Sequence, residues 1–267
     1  MTPQRIARLR QVLDRRQPDL TVVTDFVHKQ RNLSAIVRNC DAVGIMSLHA
    51  VLGDEQYQAF RGTAMGSHHW VAVRRYGELA AALQPLRADG YQLIAAHLVD
   101  NAVDFRDIDY TRPTALLLGN ERRGLSAQGE TLVDACVSVP MVGMVGSLNV
   151  SVASGIILAE AQRQRQEAGL YECTRIDQHT YQRLLFEWGH PAVRDYCEQR
   201  GLRYPPLNEE GEIDNPSAWY ASVRAGTAPL RNFSSLLFSA MLVTVRGARS
   251  MADCGRRNSR SAADYFD

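Results

Sequence analysis

Lysine is almost missing from this chain. Of its 30 basic residues only Lys29 is a lysine, and it sits in Val27-His28-Lys29-Gln30 with no glycine run before it. A phosphate-binding P-loop needs Gly-x-x-x-x-Gly-Lys, and a protein-kinase core needs a lysine of its own, so both classes of ATP chemistry are excluded. The five cysteines (Cys40, Cys136, Cys173, Cys197, Cys254) show no C-x-x-C spacing and are odd in number, which argues against a zinc ribbon or a disulfide framework and for a reducing compartment. The histidines include His68-His69 but no H-E-x-x-H, so no metal is expected. No apolar run reaches the roughly 18 residues of a membrane span, and the opening Met1-Thr2-Pro3-Gln4-Arg5 lacks the apolar core of a signal peptide. A cytoplasmic protein without a membrane partner is expected. Gly-x-Gly-x-x-Gly and Gly-x-Ser-x-Gly are absent as well, which removes the dinucleotide fingerprint and the hydrolase nucleophile.

What remains is an ordinary globular composition, with 45% hydrophobic and 22% charged residues in 267. Net charge is only +1, but it is unevenly spread. Residues 1–31 carry seven basic side chains against Asp14, Asp19 and Asp25, whereas residues 32–226 carry 17 basic and 23 acidic ones. Local concentration of this kind lets a nearly neutral protein hold a phosphate backbone.

The pattern predicts a helix over residues 2–16, capped by Thr2 and striped by Ile6, Leu9, Val12 and Leu13. Strands and helices then alternate. Strands are expected at Leu20–Val23, Leu48–Leu52, His69–Val73, Gln92–Leu98, Thr114–Leu118 and Val137–Met141. Helices are expected from Asn32 to Gly44, over Glu78–Ala88, and from Ser147 to about Glu167. This alternation predicts an α/β fold with a mostly parallel sheet. Four parts are distinguished: a basic N-terminal helical arm at 1–19, a core at 20–169, a proline-punctuated helical extension at 170–226, and a tail at 227–267. The tail holds the apolar run Phe233–Val245 and an Arg/Ser-rich end, and is expected to be frayed and dispensable.

In open α/β sheets ligands sit beyond the carboxyl ends of strands. Two loops so placed carry unusual chemistry. Gly119-Asn120-Glu121-Arg122-Arg123-Gly124 sets a carboxylate between glycines, and Met141-Val142-Gly143-Met144-Val145-Gly146-Ser147-Leu148-Asn149 makes a glycine-spaced nest with a polar mouth. A third element is the Asn32–Asn39 segment, with Arg38 nearly two turns in. Taken as chemistry alone, these residues define a site of glycines, amides, one carboxylate and one arginine, and nothing finer.

Taken in chain order, the three segments resemble the motifs of the SpoU family of RNA ribose 2′-O-methyltransferases. The first match runs Asn32-Leu33-Ser34-Ala35-Ile36-Val37-Arg38-Asn39-Cys40-Asp41-Ala42, the second Leu118–Gly124, and the third Val139–Ser151. Likeness to the tRNA branch of the family, which acts on a D-loop guanosine, extends through Arg15–Val22, Asp104–Thr111 and Glu160–Gln166 and covers about residues 1–225.

The resemblance implies helices on both sheet faces, a C-terminal deep trefoil knot, a homodimer, tRNA as partner and S-adenosylmethionine as methyl donor. It implies catalytic roles for Arg38, Asn32, Glu121, Ser147 and Asn149, a donor pocket lined by Ala96, Gly119, Val139 and Leu148, and RNA contacts at Arg8, Arg16, Arg31, Arg87, Arg163 and Arg165. Two departures stand out: Arg31 where the branch usually has His, and Gly146 where it usually has Gln. Guanidinium stays protonated in proteins, so Arg38 is read as a phosphate clamp that Glu121 and Asn149 orient. An rRNA ribose methyltransferase and a non-catalytic RNA-binding protein are the alternatives.

Overall fold

The computed structural model describes residues 1–53 and 65–231. In chain order these form α1 (Pro3–Asp14), β1 (Leu20–Asp25), α2 (Gln30–Ala42), β2 (Ser47–Val51), β3 (Ala72–Tyr76), α3 (Leu79–Ala88), β4 (Gln92–Ala96), β5 (Val103–Asp104), β6 (Thr114–Leu118), α4 (Ala127–Leu132), β7 (Ala135–Ser138), α5 (Val150–Glu167), α6 (Gln178–Gly189), α7 (Pro191–Arg200) and α8 (Pro216–Arg224). The strands pair in parallel throughout, in the order β3-β2-β1-β6-β4-β7-β5.

Parallel strands covered on both faces read as unbroken apolar runs, and β6 (Thr-Ala-Leu-Leu-Leu) is buried at every position. Successive side chains point to opposite faces. Leu20, Val22, Ile94, Leu116 and Leu118 therefore face a core completed by α2 and α5, through Leu33, Ile36, Val37, Ile157, Leu158 and Ala161. Val23, Leu93, Ala95, Ala115 and Leu117 face the other core, closed by Leu79, Ala82, Leu83 and Leu86 of α3. Thr2 caps α1 by accepting from the Arg5 N–H at 3.2 Å. The buried stripe of α1, Ile6, Leu9 and Leu13, packs on Ile176, Leu185 and Trp188 of the C-terminal extension. The N-terminal segment is thus docked on the extension rather than projecting as an arm.

Several boundaries differ from the sequence pattern, each for a local reason. His69–Val73 is not a strand. Trp70 and Val71 donate their N–H groups to the Ser67 carbonyl at 2.9 and 3.0 Å, closing a 3-10 turn, and β3 starts only at Ala72. The long helix begins at Val150, not Ser147, because Asn149 caps it: its Oδ1 accepts from the Ser151 N–H at 2.9 Å. Asn32 is not a cap but the third residue of α2, its side chain drawn away to another loop. The two-residue β5 and six-residue α4 are too short to register as periodic patterns. Residues 227–231, expected to fray, instead pair with the α7–α8 loop: Arg203 N–H donates to the Pro229 carbonyl at 2.9 Å, and Arg231 N–H to the Gly201 carbonyl at 2.8 Å. The apolar run Phe233–Val245 and the rest of the tail lie outside the described residues.

At the amino edge of the sheet the structure is knit by buried charge. Arg165, in the last turn of α5, is fully buried. It donates to Asp19 Oδ1 at 2.7 Å, Gln17 Oε1 at 3.0 Å, and the carbonyls of Tyr110 (2.8 Å), Arg112 (3.0 Å) and Asp19 (3.2 Å). Arg175 brings a second guanidinium to both Asp19 oxygens, at 2.6 and 2.8 Å. Arg16, 1% exposed, donates to the Ile45 carbonyl at 3.1 Å, Asp41 Oδ1 at 3.0 Å and the Trp70 carbonyl at 3.3 Å. One arginine thus fastens α5 to the segments entering β1 and β6, and the other fastens α1 to the α2–β2 turn.

Removing one partner of a buried ion pair leaves the other uncompensated, a loss of about 3–5 kcal/mol. Arg165→Met is expected to lower unfolding free energy by that order, read as a shifted denaturant midpoint at unchanged slope. Burial raises the pKa of Asp19, but the hydrogen bond from Arg175 and the charge of Arg165 outweigh it and hold the carboxyl below its ordinary value. A depressed carboxylate contributes stability above its unfolded pKa of about 3.9 and loses it as pH falls through the lower folded value. The stability gap between the parent and Asp19→Asn is therefore expected to be full at neutral pH and to shrink below about pH 4. A gap unchanged from neutral pH to about pH 3 would contradict this assignment.

Candidate active site

Three adjacent strands, β6, β4 and β7, end side by side: Ala96 pairs in register with Leu118 on one side and Val137 on the other. Ala96, Gly119 and Val139 therefore stand together at the carboxyl edge, where the sheet's parallel strands leave main-chain groups facing outward. Gly119 is required there. A Cβ on it would lie 2.5 Å from the carbonyl carbon of Gly124, because residues 120 and 124 pair closely, with N–H to carbonyl bonds of 2.8 and 2.9 Å in both directions. Beyond Val139 the loop 141–148 is open. Among the described residues no main-chain hydrogen bond ties it down, and a Cβ at Gly143 or Gly146 would meet nothing within 4 Å. Half-buried Leu148 closes its far end. Apolar strand ends beside a loop of uncommitted N–H groups suit an adenosine-type ligand, which needs a slot for its ring and donors for its edge.

Across this edge from β7, the β1–α2 loop and the β6–α4 loop are laced together. Glu121 accepts from the main-chain N–H groups of His28 (3.1 Å) and Lys29 (3.3 Å) and from Asn32 Nδ2 (2.6 Å). Asn120 Nδ2 donates to the Phe26 carbonyl at 2.6 Å, while its Oδ1 accepts from the N–H groups of Arg122 and Arg123 at 2.9 and 3.2 Å. Asp25 Oδ2 accepts from the Ser126 N–H at 2.7 Å. Burial alone would raise the pKa of Glu121, but its main-chain and Asn32 hydrogen bonds prevail and hold it below the ordinary value. It is an anion with its lone pairs engaged, suited to holding loops rather than taking protons.

The chain of amides continues from Asn32, whose Oδ1 accepts from Asn149 Nδ2 at 3.2 Å. Asn32, Glu121 and Asn149 are therefore joined, linking the first loop, the second loop and the start of α5. Asn39 adds a further tie, donating to the Ser151 carbonyl at 2.8 Å and Ser154 Oγ at 2.9 Å.

Arg38 and Ser147 stand apart from this chain. Arg38 lies six residues beyond Asn32, about 9 Å along α2 and a third of a turn round it, exposed and with no hydrogen bond or ion pair to another described residue. Glu121 and Asn149 do not orient it; they hold Asn32. Ser147 is exposed in the open loop. The pattern of residues missed Asn120 and Asp25, whose side chains secure the second loop. A short polar residue beside each strand end was the available signal.

The six arginines expected at an RNA surface divide sharply. Arg8, Arg31, Arg87 and Arg163 are exposed. Arg16 and Arg165 are buried and hydrogen-bonded to carboxylates and carbonyls, with Arg16 Nε left without a partner among the described residues, and neither reaches a phosphate from there. Arg87 is shared with Asp134 at 3.0 Å and the Leu132 carbonyl. Arg163 pairs with Glu160 and Glu167 at 2.7 and 2.6 Å, and its hydrogen bond pulls Glu160 down to about 2.

Comparison with known proteins agrees with this geometry. Residues 19–159 match the SpoU rRNA methylase family and residues 163–216 its C-terminal region. The chain is 47% identical over 227 residues to the tRNA (guanosine(18)-2′-O)-methyltransferase of Escherichia coli, covering 84% of this chain and 99% of that one. It is 49% identical over 187 residues to the enzyme of the same name from Thermus thermophilus, covering 70% and 96%. Among solved structures, the Aquifex aeolicus TrmH/SpoU tRNA modifying enzyme superimposes with a TM-score of 0.68 at 41% identity over 71% of this chain and 97% of that one. The SpoU methyltransferase AviRb of Streptomyces viridochromogenes, solved with the cofactor AdoMet, gives 0.51 at 31% identity over 58% and 62%. With residues 19–159 matched by the family and relatives 47% and 49% identical over most of its length, this chain belongs to the SpoU rRNA methylase family.

Proposed function

We propose that the protein is a cytoplasmic enzyme that methylates the ribose 2′-hydroxyl of a D-loop guanosine in tRNA, guanosine 18 in the names of its relatives. The observation that carries this reading is the joined Asn32–Glu121–Asn149 chain beside the open edge of β4, β6 and β7. The tRNA substrate is favoured over rRNA because the relatives from Escherichia coli and Thermus thermophilus, matched over 84% and 70% of this chain, are both named as tRNA enzymes.

Ala96, Gly119, Val139 and Leu148 would hold S-adenosylmethionine, with main-chain N–H groups of 141–148 on its polar edge. When bound, that group supplies an electrophilic methyl on a sulfonium. The chain's own task is to hold the ribose oxygen in line with it, a positioning effect worth several kcal/mol. Glu121, Asn32 and Asn149 fix the walls of the site before substrate arrives. Arg38, unengaged among the described residues and rooted in a helix that Asn39 docks on α5, clamps a phosphate beside the ribose and steadies charge developing on the oxygen. Ser147 lines the mouth. Arg8, Arg31, Arg87 and Arg163 supply the outer phosphate contacts.

The segment from β6 to α5 forms the family's trefoil knot in this reading. Its exposed apolar side chains, Val142, Met144 and Val145 with Val152 on the first turn of α5, make the face that a second copy of the chain covers.

Radiolabelled methyl transfer to tRNA and rRNA transcripts, followed by nucleoside mapping, tests the assignment. The expected product is 2′-O-methylguanosine in the tRNA D-loop, formed with EDTA present. Label on a base, or on rRNA alone, would overturn it.

Arg38→Lys separates a clamp from a base. Lysine, with a pKa of about 10.4, deprotonates more readily than arginine but lacks the planar fork. Single-turnover transfer by Arg38→Lys is expected to fall about as far as in Arg38→Ala, on the order of 10²–10³-fold, with tRNA affinity only modestly reduced. A lysine variant within about tenfold of the parent would refute the clamp.

A further inference from the structure

Phe26 follows the last residue of β1 and stands in the left-handed region at φ 52°. For a bulky side chain this is an outlier, whereas asparagine or glycine adopts it readily. Two hydrogen bonds hold it there: its N–H donates to the Val51 carbonyl at 3.2 Å, and its carbonyl accepts from Asn120 Nδ2 at 2.6 Å. The ring is not a core residue. It is 43% exposed, leaning against Gly53, where a Cβ would come within 3.3 Å of its Cε1. A large aromatic is thus kept half in solvent, in a backbone conformation that suits it poorly, one link away from the loop that carries Glu121. Strained conformations persist where the surrounding bonds over-determine them, and they cluster at ligand clamps.

Its place in the sheet separates it from the donor pocket. Phe26 stands at the ends of β1 and β2, whereas Ala96, Gly119 and Val139 lie at the ends of β4, β6 and β7. The helix that follows it, α2, carries Arg38, which makes no hydrogen bond or ion pair among the described residues. An exposed aromatic face is a group that receives a splayed-out nucleotide by stacking on its base.

We propose that Phe26 determines how the target nucleotide is held: its ring stacks on the base whose ribose is methylated. The proposal rests on the methyl-transfer reading above and names the base contact which that reading leaves open. Stacking is tolerant of base identity, so Phe26 selects an unstacked nucleotide and not guanine in particular.

Two variants and one cross-link test it. Phe26→Asn keeps a residue suited to φ 52°, so its melting temperature is expected to match or exceed the parent's while single-turnover methyl transfer falls about tenfold. Phe26→Tyr keeps the ring and is expected to stay within about twofold. With tRNA carrying 6-thioguanosine at the methylated position, irradiation is expected to link that base to the peptide containing Phe26. Phe26→Asn turning over within about twofold of the parent, or a cross-link only elsewhere, overturns the proposal. So does a loss of activity that merely follows a fall in melting temperature. A parent protein that cross-links through Phe26 yet transfers no methyl to tRNA overturns the catalytic reading and leaves the stacking contact standing.

Discussion

The site depends on one carboxylate accepting three hydrogen bonds from a single neighbouring segment. Glu121 takes the N–H groups of His28 and Lys29 and the amide of Asn32, so the β1–α2 loop is bound to the β6–α4 loop at its tip. Charge-assisted bonds of this kind are about twice as strong as neutral ones, and they favour the anionic form of Glu121. Asn32 passes the tie on to Asn149, the cap of α5. Loop, loop and helix start are therefore set relative to one another by side chains alone, on a sheet edge whose strands are already in register.

The opposite edge of the same sheet is governed by buried arginine. Arg165 and Arg175 share Asp19, and Arg16 gathers Asp41 and two carbonyls. Because guanidinium presents its donors in a fixed fork, one side chain satisfies several carbonyls that would otherwise be stranded at strand starts and turns. An almost lysine-free chain thus uses arginine at the amino edge as internal mortar, while Arg8, Arg31, Arg38, Arg87 and Arg163 are exposed.

Much of this was legible in the sequence. The unbroken run Thr114–Leu118 suited a covered parallel strand, and Thr2-Pro3 marked the start of α1. Asn32 was misread because an asparagine before an apolar stripe has the chemistry of a cap, whereas a partner 89 residues away claims its amide. The buried arginines did carry a signal. Arg165 continues the four-residue spacing of Ile157 and Ala161, and Arg16, just past the end of α1, follows the buried Leu9 and Leu13 of that helix. A charge on an apolar stripe was taken for a surface group because its partners, Asp19 and Asp41, lie in other elements. The left-handed conformation of Phe26 left no trace, since nothing local demands it; the Asn120 amide and the Val51 carbonyl impose it from across the sheet.

If the laced loops are the foundation of the site, Glu121 and Asn32 act as a single unit. A double-mutant cycle on single-turnover methyl transfer measures this directly. Glu121→Gln and Asn32→Ala should each cost activity, and the double variant should lose little more than the worse single one. Losses that multiply would show two independent contributions and contradict the account.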